Sequence, residues 1–153
     1  FNPINPWRSD RQARMNSVDR RRLLPILALG CRLQAQPAKV SVRGKLTAAG
    51  DGTPALDEPA RGRLLLAGDP PTVGVLKDHR LAGSDFEAIG GFRNDRVFQV
   101  DPIHLRAMFV HRNGRRLFVT YWCDICSIRF YTPGICWCCQ QESALDLREK
   151  DDS

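Results

Sequence analysis

Long apolar runs are missing from this sequence. The longest, Leu23 to Cys31, falls well short of the about 20 residues a helix needs to cross a bilayer. Histidine is scarce. His79, His104 and His111 stand singly, with no H-E-x-x-H pairing that would make a zinc hydrolase. Each is expected as a surface or packing residue, with His104, just ahead of a hairpin, kept as a minor ligand candidate. There is no G-x-S-x-G elbow and no phosphate-binding glycine loop. Asp85 and Glu87 alternate about Phe86, which places them on the solvated face of a strand, not in a catalytic carboxylate pair. An enzyme is therefore the less favoured class. Internal repeats and sustained βαβ alternation are absent too, which excludes solenoids and doubly wound folds.

A basic excess is also largely missing once its location is considered. The formal charge is +6 over 153 residues. Residues 1–35 hold seven arginines against two aspartates, while the rest of the chain holds sixteen basic and fifteen acidic side chains. Net charge gives no support to a nucleic-acid partner.

That first segment reads as a leader. Residues 1–14 lack apolar periodicity, and Met15 is the expected start. Arg20-Arg21-Arg22 precede the short apolar run, and the small residues Ala35 and Ala38 follow it. This is the order of an export signal, with cleavage after Ala35 and a periplasmic or extracellular destination. Asp19 to Leu24 also resembles a twin-arginine signal. Two alternatives stay open: lipidation at Cys31, since Ala28-Leu29-Gly30-Cys31 is similar to a bacterial lipoprotein box, and an amphipathic N-terminal helix.

From residue 36 to 120 the pattern shifts to period two. Val40, Val42 and Leu46 alternate with polar residues, with Gly44 at a bend or bulge. Residues 47–60, rich in Gly, Pro and Asp, predict a loop. Arg61–Ala67 predicts a strand ended by Gly68-Asp69-Pro70-Pro71, and Thr72–Leu81 a short helix capped by Thr72. Phe86–Phe92 and Arg96–Val100 predict two more strands around Arg93-Asn94-Asp95. Arg106–Arg112 and Arg115–Tyr121 flank Asn113-Gly114, the dipeptide that accepts positive φ at both turn positions. These elements predict a mainly β protein: a small antiparallel barrel, OB-like by preference, with an SH3-like barrel or an open sheet as alternatives.

Cysteine is concentrated at the end of the chain. Five of the six lie between residues 123 and 139. Cys123, Cys126, Cys136 and Cys139 give C-x2-C-x9-C-x2-C. Two residues between thiolates let one tight turn offer both sulfurs to a single ion, and Thr132-Pro133-Gly134 supplies the reversal between the pairs. Residues 121–142 are expected as a metal-binding segment for Zn2+, with Cu+ or iron as alternatives, and residues 143–153 as a polar tail. Cys138 is the alternative ligand, through Cys136-Trp137-Cys138. Trp122, Phe130, Tyr131 and Trp137 are expected as an apolar shell excluding water from the sulfurs.

The segment resembles zinc ribbons. Tyr121, Cys123, Pro133, Gly134, Cys136 and Cys139 are similar to the bacterial heavy-metal-binding motif. Asp124-Ile125 stand in place of its Met-His, and Gln140 in place of its Gly, which implies a closed structural site. The end of the chain also resembles a group of uncharacterised exported bacterial proteins, and that likeness implies no activity. Three readings follow: a zinc-stapled binding or accessory module of unknown partner, a periplasmic copper or zinc handling protein, and a thiol–disulfide protein using Cys123 and Cys126. Trp122-Cys123-Asp124-Ile125-Cys126 is superficially like the thioredoxin motif, which requires a helix N-terminus at its first cysteine.

Overall fold

The structure, a computed structural model, describes residues 38–149. The expected leader, with Cys31 and Ala35, lies outside them. Among the described residues, nine strands form one sheet: β1 (Val40–Ala48), β2 (Pro54–Glu58), β3 (Gly62–Ala67), β4 (Asp85–Asn94), β5 (Val97–Val100), β6 (Met108–Arg112), β7 (Arg115–Cys123), β8 (Ile128–Phe130) and β9 (Ala144–Arg148). A short helix, α1 (Pro70–Leu76), joins β3 to β4. No described helix is long and apolar enough to cross a membrane.

The first five strands close on themselves in the order β1-β2-β3-β5-β4, and β4 returns to β1. With α1 between β3 and β4, this is the OB arrangement. One pair, β3 with β5, is parallel, so the barrel is not wholly antiparallel. Closure needs β1 to serve two neighbours. Its residues 40–45 pair with β4 and residues 45–48 with β2. The transfer happens beside Gly44, where a methyl group would collide with the Asp57 carbonyl. Gly90 does the same for β4, where a methyl group would strike the Gln99 carbonyl. The bend expected at Gly44 is thus a close backbone approach, and the β1–β4 register runs through it without a bulge.

Inside, alternate residues meet. Val42 and Leu46, Leu64 and Leu66, Phe86 and Ala88, and Phe98 and Val100 fill the barrel. Val75 and Leu76 of α1 join them. The helix starts at Asp69, whose carboxylate accepts the Thr72 N–H at 3.1 Å, followed by prolines, which have no N–H in need of an acceptor. The cap is therefore Asp69 and not Thr72. The helix ends at Leu76, and Asp78 caps a separate 3-10 turn, His79–Leu81.

Two further departures have tertiary causes. Pro54–Glu58 is a strand, because Ala55 and Leu56 are buried between β1 and β3 despite the turn-rich composition around them. The expected polar tail contains β9, whose Leu145 and Leu147 pack on the core. Beyond the barrel, β6 adds to β4 and the β6–β7 hairpin follows it. Asn113 (φ 53°) and Gly114 (φ 76°) make the expected primed turn. Met108, Val110, Val119 and Tyr121 belong to the barrel's own core, so the extension is continuous with it.

Candidate metal centre

β7 delivers Cys123 to the end of the sheet. The chain turns over residues 124–127 and returns as β8, with Cys123 opposite Ile128. The Ser127 N–H donates to the Cys123 carbonyl at 2.8 Å, and Ser127 holds φ at 53°. The second turn repeats the first. The Gln140 N–H donates to the Cys136 carbonyl at 2.9 Å, and Gln140 holds φ at 61°. A pair of backbone bonds frames this second turn, Ser143 N–H to the Gly134 carbonyl at 2.9 Å and Cys136 N–H to the Gln141 carbonyl at 2.7 Å. Gly134, with φ at 146°, supplies the reversal ahead of it.

These two turns face one another. The sulfurs of Cys123, Cys126, Cys136 and Cys139 all lie within 4.8 Å of one another, and Cys123 and Cys139 approach to 3.4 Å. A tetrahedral ion with sulfur ligands at about 2.3 Å needs sulfur–sulfur separations of about 3.8 Å. The donor set and its spread fit such an ion. Cys123 and Cys136 are buried, and the other two are half-buried. The backbone N–H groups of Cys139 and then Cys138 face the Cys136 sulfur and, against the opposing effect of burial, draw its pKa down to about 7. Cys126 is pushed the other way, first by the neighbouring Cys138 thiol and then by burial. A metal binds the deprotonated sulfurs, so a cation at this cluster would displace their protons and offset the charge of the resulting thiolates.

The segment is tied to the barrel by Arg80. Its guanidinium donates to the Asp78 carboxylate at 2.9 Å and to the Ser143 carbonyl at 2.8 Å. Ser143 in turn donates through its hydroxyl to Gly134 at 2.8 Å. Burial would raise the Asp78 pKa, but the Arg80 hydrogen bonds more than offset it and hold the carboxyl below its usual range.

Other expectations land elsewhere. Cys138 is exposed and outside the group of four. None of the histidines joins the cluster: His79 and His104 are exposed, and His111 pairs with Glu87. The aromatic shell is only partial, because Trp137 is 73 % and Tyr131 48 % exposed, while Trp122 and Phe130 are half-buried. Cys123 is buried at a strand end with no helix after it, so the thioredoxin arrangement is absent.

Glu87 needs the clearest correction. It is buried, not solvated, and its carboxylate accepts from Ser41 at 2.7 Å, Arg116 at 2.7 and 2.9 Å, and meets His111 at 2.6 Å. Burial alone would push its pKa up, yet Arg116, Ser41 and His111 together bring it down to about 2. Asp85 remains exposed, paired with Arg43. Comparison with protein-family models, curated proteins and solved structures finds no significant match.

Proposed function

We propose that this chain is an exported binding or accessory module whose C-terminal segment is held by one structural zinc ion on Cys123, Cys126, Cys136 and Cys139. The observation that carries this reading is the convergence of the four sulfurs within 4.8 Å from two turns of matching geometry. Zinc is preferred because an all-thiolate tetrahedral set without an open position is its usual structural site. Zinc when bound would supply cross-linking, joining the β7–β8 hairpin to the segment ahead of β9. Export rests on the arginine-led apolar segment before residue 36. The partner is a protein or a metal donor, and nucleic acid is not expected.

Elemental analysis of the full chain, purified without added metal, reads zinc, copper and iron together. Intact mass beside it reads thiol oxidation, the mature N-terminus and any lipid on Cys31. One zinc per chain with the N-terminus at residue 36 supports both parts of the proposal. A second reading, metal handling, is favoured by one feature: a fifth thiol, that of Cys138, is exposed and sits next in sequence to Cys139 of the group of four. Competition with a calibrated chelator separates the two. Loss of the metal together with the fold indicates a structural ion, while exchange with the fold intact indicates handling.

A further inference from the structure

β7 leaves part of one edge open. β6 pairs with it up to Phe118, and β8 pairs with it from Tyr121 onward on that same edge, because β9 occupies the other edge opposite both. Among the described residues, Val119 and Thr120 therefore have no strand beside them there. A cleft of roughly 270 Å3 occupies the gap, outside the barrel. Met108 and Val119 give it an apolar floor, and Phe118 and the half-exposed Tyr131 contribute rings.

Its charge is set by Arg106, Arg129 and Arg148, one from each of three separate segments. Arg106 lies over the Phe118 ring at 5.1 Å and has no carboxylate partner among the described residues. Arg129 meets Asp146 only at 3.4 Å, and its Nε is buried without a hydrogen-bond partner. Arg148 also bonds Asp146, at 3.1 Å. Among the described residues, Glu149 is the carboxylate that lines the cleft, and Arg115 engages it at 3.2 Å.

We propose that this cleft between β6 and β8 binds a small organic carboxylate with an apolar body. Guanidinium groups fork onto carboxylates, and an apolar floor with ring walls takes a compact hydrocarbon. The volume falls just below the usual range of ligand sites, which limits the body to about one ring or one branched chain. The same chemistry belongs to a free acid and to the last residue of a peptide.

The test uses the full chain and follows backbone amide resonances during addition of 3-phenylpropionate. Saturable shifts are expected at residues 106–108, 118–120 and 129–131, and the neutral 3-phenylpropionamide should produce none. Arg106→Gln, at an exposed position, should weaken binding about tenfold, as expected for one charge-assisted contact. Arg112→Gln, exposed and outside the cleft, should leave binding unchanged. A tetrapeptide ending in phenylalanine distinguishes the sources: tighter binding than the free acid marks a chain end, and weaker binding marks a small acid. The proposal is overturned by no saturable shift below about 10 mM, by equal binding of the amide, or by equal losses in both arginine variants. Inorganic phosphate competing as well as the acid overturns it too, since the apolar body would then contribute nothing.

Discussion

Arg80 and Ser143 are 63 residues apart in sequence, yet the guanidinium of one donates to the backbone carbonyl of the other at 2.8 Å. Through that contact the turn after α1 fixes where the second cysteine turn sits. Arg80→Ala strips the buried Asp78 carboxylate of its partner at the same time. It is expected to destabilise the protein by about 2 kcal/mol, the cost of an unpaired buried acceptor plus one lost backbone contact. Asp78→Asn with Arg80 retained should cost less. Chemical denaturation of the three proteins checks the order.

The glycines at the barrel seams make a sharper contrast. Gly90→Ala places a methyl group against the Gln99 carbonyl, a backbone atom that cannot rotate away. A loss of about 3 kcal/mol or failure to fold is expected. Gly91→Ala, one residue along, meets nothing within 4 Å. It should be neutral or stabilise by up to about 1 kcal/mol through the unfolded chain. Thermal unfolding of both variants decides it.

Glu87 gives the fold an acid limit. Its carboxyl titrates near 2 in the folded protein against 4.5 for the free group. A depressed folded pKa stabilises the protein above the unfolded value, and that contribution fades as pH falls from about 4.5 toward 2. The amount at neutral pH is of order 2–3 kcal/mol. Glu87→Gln should therefore lower stability at pH 7, and the gap to the parent protein should shrink between pH 4.5 and 2. A gap independent of pH would mean that the hydrogen bonds, and not the charge, carry the effect.

Positive φ at non-glycine residues marks both cysteine turns. Ser127→Gly relieves that conformation and should stabilise the chain by about 0.5–1 kcal/mol. Ser127→Val should destabilise it by a larger amount and weaken metal retention, because a β-branched side chain is least tolerated at φ near 53°. Chelator competition alongside thermal unfolding measures both effects.

What was legible in the sequence is what local chemistry encodes. Asn113-Gly114 announces its hairpin, the period-two runs announce most barrel strands, and the C-x2-C spacing announces both sulfur pairs. What was hidden depends on distant neighbours. β2 carries turn residues and becomes a strand only because β1 and β3 enclose Leu56. β9 alternates too briefly to stand out, and its leucines find the core only through β7. Glu87 looks like any outward strand carboxylate until Arg116, 29 residues later, closes over it. Gln140 shows no sign in its chemistry of the left-handed backbone that a glycine would have advertised.

Zinc K-edge absorption on the purified full chain, beside the Cys138→Ser variant, addresses the metal centre without relying on fold or activity. Four sulfur scatterers at about 2.3 Å, unchanged by the substitution, are the expected result. A first shell containing nitrogen or oxygen, a sulfur lost with Cys138, or the absence of any bound metal would contradict it.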